Sequence, residues 1–387
     1  MAIGSNAGGA VSTGIANTLV GGLAGDALTT GSLNTALGYN ALAANTTASS
    51  NVALGKDALE FNTRSGGNIA IGDRALEDTN PADDGNWYNI GIGHHAGRDI
   101  STGNDNTVIG GLSGDALTIG TRNVAVGTYT LSNDIEGSAN VAIGHSALLN
   151  QQTSGNGSAQ LTYNTAVGDS AGAQITTGTL NTIIGGLAGD ALTTGGSNVA
   201  FGYSSLSTED TGARNTAVGY NSLKNLNFDG NGYNTAIGYD AGRKLTTGDQ
   251  NTILGSLAGD ALTEGNTNVA IGYVALSSET LGDRNVAIGR GALGTQNNTS
   301  NVDVYNVAIG YDAGVNVTTG VQNTLIGGRA GDAVTTSTEN TFFGYDAGGG
   351  TTTGGYNTFI GSGAGVANVG GGSNICIGRG ANTGGAS

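Results

Sequence analysis

Asn268-Val269-Ala270-Ile271-Gly272 is followed seventeen positions later by Asn285-Val286-Ala287-Ile288-Gly289. The same order of residue types (Asn, a β-branched residue, a small or apolar residue, a large apolar residue, Gly) recurs along the whole sequence. There are 21 copies between Asn17 and Asn374, and Met1-Ala2-Ile3-Gly4 is a shortened copy in the same register. Sixteen of the twenty intervals equal seventeen. The four longer ones follow Asn68, Asn140, Asn215 and Asn285, where the next copies begin at Asn89, Asn164, Asn234 and Asn306. After the first of them, a long interval falls every fourth copy. A longer repeat of four copies therefore lies over the short one, marked by the variant Gly185-Gly186-Leu187-Ala188-Gly189-Asp190-Ala191-Leu192.

A period of seventeen is too short for helix pairs or propeller blades. It suits one coil of a parallel β-solenoid, and two short strands joined by two turns are predicted for each coil. Positions are counted from the Asn. Asn+1 is Thr, Val or Ile in every copy and Asn+3 is Val, Ile, Leu or Phe, residues that fit a pleated sheet. Asn+4 is Gly in all 21 copies, which marks a backbone site with positive φ or close approach. Asn+7 is Ala in 17 copies, and the second strand is predicted to start there. A second Gly at Asn+14 (Gly31, Gly103, Gly178, Gly248, Gly320) marks the closing turn. The Asn residues, among them Asn34, Asn51, Asn140, Asn268 and Asn285, are expected to stack and hydrogen-bond from coil to coil. The matching turn glycines are Gly38, Gly55, Gly144, Gly272 and Gly289.

Side chains in a strand alternate between faces, so Asn+2 opposes Asn+1 and Asn+3. The β-branched pair is predicted to face the coil interior and Asn+2 to face out. Asn+2 is mostly Ala, but Leu19, Val108, Ile183, Ile253, Leu325, Phe342 and Phe359 also stand there. A strand apolar on both faces is buried on both. The outer face therefore predicts association, with a three-fold homo-oligomer as the arrangement that suits a fibre. Twenty-two coils at ~4.8 Å each predict an axis on the order of 105 Å.

Composition agrees and excludes other classes. Gly makes up 73 of 387 residues, with one Pro and no Gly-X-Y period, so the chain is not collagen. Hydrophobic residues at 37% argue against disorder. One Cys excludes a disulfide framework, and no apolar run is long enough to span a bilayer. The formal charge of −16 leaves no basic footprint for nucleic acid. Residues 1–9 carry no basic or apolar leader pattern.

The runs Asn140-Val141-Ala142-Ile143-Gly144-His145-Ser146-Ala147 and Asn306-Val307-Ala308-Ile309-Gly310 resemble the head repeat of YadA-type trimeric autotransporter adhesins. Similar repeats occur in bacteriophage tail-fibre shafts. The resemblance covers essentially the whole chain. It implies a left-handed parallel β-roll, three chains side by side, a role in attachment, and an inward-facing aliphatic pair such as Val286 and Ile288. The Asn commonly sits one position further upstream in that family, and its coils are usually shorter than those of this sequence. Residues 1–387 contain neither a coiled-coil stalk nor a membrane anchor, which favours a fibre shaft over an adhesin head. Both ends are expected to continue into further domains, the last residues being Gly384-Gly385-Ala386-Ser387.

Longer coils place loops at residues 77–88, 149–163, 224–233 and 294–305. Each ends in Tyr directly before the next Asn: Tyr88, Tyr163, Tyr233 and Tyr305. The first also holds Trp87, Pro81, Asp83 and Asp84. These aromatics are the candidate contacts for a host-surface glycan or protein. The alternative is that each Tyr packs over its own widened coil. No catalytic set stands out, and no cofactor or metal is expected. His94 and His145 occupy the variable Asn+5 position, and Cys376 takes an Ala position. Asp26, Asp190 and Asp260 align with the calcium nonapeptide, but those copies are never in tandem.

The reading is an all-β, left-handed β-roll of about 22 coils, one repeat-built shaft over residues 1–387. Its expected role is structural: a trimeric segment of a virion fibre, not an enzyme, that holds an attachment device. Its expected partners are its own copies and the neighbouring fibre proteins at both ends. A trimeric adhesin head on a bacterial surface is the alternative within the class. A monomeric ice- or cation-binding solenoid is the rival from another class, set aside because the Thr column at Asn+1 is read as facing inward.

Overall fold

The computed structural model describes residues 1–80, 85–152 and 157–382. Pro81, Asp83, Asp84 and residues 384–387 lie outside them. The chain is an all-β parallel solenoid of about 22 turns, with a period near seventeen. It divides into two compact units, Met1–Gly196 and Ser197–Ser387.

Among the described residues of the first unit, eleven short strands from Ala2–Ile3 to Thr182–Ile184 form one parallel sheet. Equivalent residues pair from coil to coil, as in Val52↔Ile69, Ala53↔Ala70 and Leu54↔Ile71. The second unit has eleven strands in the same arrangement, from Val199–Phe201 to Ile375–Ile377, with Val269↔Val286 and Ile271↔Ile288. Strands are three residues long in nearly every coil, Asn+1 to Asn+3. No helix among the described residues is long and apolar enough to cross a membrane.

Two expectations are overturned. The first is the second strand at Asn+7, which is a run of turns. Asn−1, Asn+6 and Asn+8 take left-handed backbone angles even where they are not Gly; in one coil Ser50, Asp57 and Leu59 have φ of 62°, 56° and 49°. Such residues rotate successive peptide planes, so hydrogen bonds alternate in direction. Leu42 and Ala44 donate to the next coil (Ala58 O, 3.0 Å; Glu60 O, 2.9 Å), whereas Ala43 and Asn45 donate within their own coil (Asn40 O, 3.1 Å; Leu42 O, 3.2 Å). Parallel pairing outside the main sheets accompanies all four insertions: Ser65–Gly66 with Gly85–Asn86, Gly137–Ser138 with Gln160–Leu161, and the single bridges Ala213↔Asn231 and Asp283↔Asp303.

The second correction concerns the faces. Asn+2 is buried inside the coil, as Ala36, Ala142, Ile253 and Phe342 show at 0% exposure. Asn+1 and Asn+3 point outward, with Leu37 and Phe343 half exposed; Val286 and Ile288 are likewise only partly covered. The coil is too thin for two branched residues per strand but closes well over one small one.

The core is filled by a volume exchange. All nine coils with Leu at Asn+8 carry Ala at Asn+2, and all seven with Leu, Val, Ile or Phe at Asn+2 carry Gly at Asn+8. The reason is space: a Cβ on Gly189 would lie 3.0 Å from Ile183 Cδ1, and one on Gly365 2.5 Å from Phe359 Cγ. The four-coil repeat is therefore a cycle of core volumes. Phe359→Ala should cost about 3–5 kcal/mol, because Phe359 is fully buried and stacked on Phe342 at 4.9 Å. Adding Gly365→Leu recreates the Ala–Leu pairing of the other coils and should restore at least half of the loss in thermal unfolding.

Candidate functional surface

The Asn side chain joins two connections. In the first unit every Asn from Asn34 to Asn181 donates its backbone N–H to the Oδ1 of the preceding Asn at 2.9–3.0 Å. Its Nδ2 reaches the closing turn of its own coil, as from Asn34 to Ala48 O at 2.9 Å and from Asn51 to Ser65 O at 3.0 Å. In the second unit Asn268 donates to Gly282 O at 2.9 Å and accepts from the Asn285 N–H at 2.9 Å. Each of these residues is fully buried. Among the described residues Asn140 Nδ2 and Asn285 Oδ1 have no hydrogen-bond partner, and both stand where a long interval begins. Gly38, Gly55, Gly144, Gly272 and Gly289 all have φ between 128° and 146°.

The four loop tyrosines share one place in the coil, Asn−1, with φ of 49–54°, and each is about half exposed. Two are held by arginines from the coil before. The Arg214 guanidinium lies 5.5 Å from the Tyr233 ring and donates to its hydroxyl at 2.5 Å. Arg284 lies 5.5 Å from Tyr305 and donates to its hydroxyl at 3.2 Å. A Cβ on Gly67 would meet the Tyr88 ring at 3.1 Å, so Tyr88 also leans on the coil beside it. Trp87 is partly buried, its backbone fixed between Gly66 O and the Asp105 N–H. These aromatics rest on their coils and still present polar edges to solvent.

One coil before each insertion, a buried polar residue at Asn+11 holds the turn. Asp134 accepts from the Gly137 N–H at 2.8 Å and from Gln151 Nε2 at 2.9 Å. Glu209 accepts from the Gly212 and Phe228 N–H groups at 2.7 and 3.2 Å. Glu279 accepts from the Gly282 N–H, the Asn298 N–H and Nδ2, and Gln296 Nε2, at 2.8–3.1 Å. Asn62 occupies the place before the first loop and accepts from the Ser65 N–H at 3.0 Å. The residues were visible in the sequence; their burial was not, because the same column mixes apolar residues such as Leu117 and Ile175 with polar ones such as Asn45, Thr79 and Gln296.

Burial pushes the Asp134 carboxyl up to about 6 and raises that of Glu209. A carboxyl raised above its unfolded value near 3.9 stabilises most below that value, and the gain is lost as pH rises through the folded pKa. Lowering the pH from 7 to 4.5 should therefore stabilise the region around the loop at residues 149–163, on the order of 2 kcal/mol from Asp134. Asp134→Asn should abolish that dependence; hydrogen exchange of the Gly137 amide across pH 4.5–7 measures both.

Among the described residues two clusters bring metal-type donors within 4.8 Å of one another: Asp73 with His94 and His95, and Asp57 with Glu60 and Glu77. In the second, Lys56 bonds Asp57, and Arg74 Nε lies 3.7 Å from Asp57 Oδ2 and 3.8 Å from Glu77 Oε1, which makes it an ion-pair network. In the first, the two imidazoles stack at 3.9 Å, and Arg98 Nη1 lies 3.4 Å from His95 Nδ1. Burial and the neighbouring His94 and Arg98 lower the His95 pKa. The arginine competes with a cation for that nitrogen.

The outward sheet face is the largest feature. Asn+1 and Asn+3 hold no charged residue in any of the 21 copies. Beside it runs Asn+5, which is Tyr in six of eleven copies of the second unit and only at Tyr39 in the first. Tyr203, Tyr220 and Tyr239 stack on consecutive coils at 5.7 and 5.4 Å. By sequence this column belongs to the variable residues; its signal is the concentration of Tyr in one half. Set against known proteins, the chain matches no family model and no curated protein.

Proposed function

We propose that this chain is a length of structural fibre shaft, three copies side by side, that holds an attachment device away from a particle. One observation carries this reading: the uncharged outward ribbon of Asn+1 and Asn+3. In each unit it runs along eleven coils, roughly 50 Å at ~4.8 Å per coil. A ribbon of that length and about 10 Å width covers about 500 Å², near the upper end of what monomers leave exposed. Covering it with equivalent ribbons of two further copies removes that surface from water. Association was expected from the Ala face, which lies inside the coil; the ribbon takes its place. The Asn connections and glycine turns supply stiffness, and stacked coils leave a protease little extended backbone. A bacterial surface adhesin head is built by the same association.

The ice-binding reading regains one argument, since the Thr column at Asn+1 faces outward. The neighbouring Asn+3 column never carries a hydroxyl, and that places association first. Light scattering tests the reading. Three copies of 37.9 kDa predict a mass of about 114 kDa, and Ile143→Glu combined with Ile309→Glu should lower it to that of one chain without changing the circular dichroism. A single-chain mass for the unaltered protein would overturn the shaft.

A further inference from the structure

We propose that Tyr239, Ser256 and Tyr273 form a slot that takes one pyranose ring of a glycan. This goes beyond the shaft reading, because it gives the shaft a ligand of its own. The three residues occupy Asn+5 on consecutive coils whose strands pair in register, Ile237↔Leu254↔Ile271. The backbone beside them is fixed by bonds from the Leu257 N–H to Tyr239 O at 2.9 Å and from the Val274 N–H to Ser256 O at 3.2 Å. Tyr203, Tyr220 and Tyr239 form a stack of near-parallel rings, and the stack stops at Ser256. Tyr239 is backed by Tyr220 at an interplanar angle of 6°, so its other face is presented toward the missing rung. Tyr273 stands one coil beyond, with no ring contact and no hydrogen bond on its hydroxyl among the described residues. Tyr239 and Tyr273 are 52% and 53% exposed.

Size and chemistry select the occupant. Two coils separate the tyrosines by ~9.6 Å, which leaves ~4.8 Å on each side of a ring at the Ser256 level. Flat tyrosine rings already stack at this one-coil spacing on the preceding coils, at 5.7 and 5.4 Å, so the hydroxyl groups around the gap distinguish its occupant. A saturated ring carries C–H bonds on both faces and fills the gap. Ser256 Oγ and the two phenol hydroxyls make no hydrogen bonds among the described residues and can serve the hydroxyls of a sugar.

Saturation-transfer NMR with cellohexaose, maltohexaose and chitohexaose on the full chain tests the slot. At least one of them should bind, and Tyr239→Ala or Tyr273→Ala should weaken it tenfold or more. Ser256→Tyr should abolish binding, since it completes the stack with a residue that other coils already carry at this place. Tyr203→Ala, two coils away from the slot, should leave binding unchanged. No binding of any of the three sugars, or binding that survives Ser256→Tyr, would overturn the slot. The mass of the same sample separates the two proposals: a single chain that binds removes the shaft and keeps the slot, whereas a trimer that binds nothing removes only the slot.

Discussion

Gly110→Ala is expected to unfold the coil that contains it, and Gly111→Ala, one residue on, to be silent. Gly110 has φ of 134°, and a Cβ there would overlap the carbonyl group of Gly127 on the next coil, 2.6 Å from its carbon. Two penalties act together. The backbone angle is one that side chains rarely adopt, at about 1–3 kcal/mol, and the overlap can be relieved only by separating two hydrogen-bonded coils. Gly110 N donates to Ile92 O at 2.7 Å, so separation breaks the sheet at that point. The sum should exceed about 4 kcal/mol. Gly111 has no positive φ, and a Cβ there meets nothing within 4 Å. Alanine should be tolerated within about 0.5 kcal/mol at that position. Limited proteolysis separates the cases, with a new cut between residues 100 and 130 for the first variant only. Equal resistance of the two variants would show that coil stacking does not depend on the missing side chain.

That contrast illustrates what the sequence made legible. Gly110 belongs to the column that is Gly in all 21 copies, whereas the Gly111 column also admits Tyr, Lys, Asp and His. Periodicity alone therefore gave the coil length, the strand at Asn+1 to Asn+3 and the parallel register. It could not give the direction of the faces. Alternation says that Val286 and Ala287 point oppositely, but not which points inward. The answer depends on coil thickness, which is set by left-handed residues at Asn+6 and Asn+8 such as Asp57 and Leu59. Nothing in Asp or Leu announces that backbone angle, so from sequence the Ala at Asn+7 reads as the start of a second strand.

The candidate site was less legible for a related reason. Tyr88, Tyr163, Tyr233 and Tyr305 were conspicuous because they close insertions. Their support by Gly67, Arg214 and Arg284 depends on which residue lies one widened coil away, far beyond any local sequence window. Tyr239 and Tyr273 drew no notice, because a variable column looks uninformative until it is seen as a stack with one rung missing. Buried Asp134, Glu209 and Glu279 are similar: a carboxylate in a column of mixed polar and apolar residues becomes meaningful only when its backbone partners are seen.

Asn268→Asp is expected to be severely destabilising at neutral pH and to recover as the pH falls. The amide has two opposite duties. Its Oδ1 accepts from the Asn285 N–H and Nδ2 at 2.9 and 3.1 Å, while its Nδ2 donates to Gly282 O at 2.9 Å. An aspartate keeps the acceptor but sets a carboxylate oxygen against a carbonyl oxygen in a fully buried place. A lost hydrogen bond, an unsatisfied carbonyl and a buried charge together predict about 3–5 kcal/mol. Protonation converts that oxygen into an O–H donor and restores the bond to Gly282. The folded pKa of the new carboxyl is therefore raised above its unfolded value near 3.9, and the stability it supports is present below that value and lost as pH rises. Unfolding of the variant should approach that of the parent near pH 4 and fall away toward pH 7, whereas Asn268→Ala, which lacks both functions, should be equally weak at either pH. A pH-independent loss in the aspartate variant would mean that stacking of the amide, and not its donor, holds the coils together.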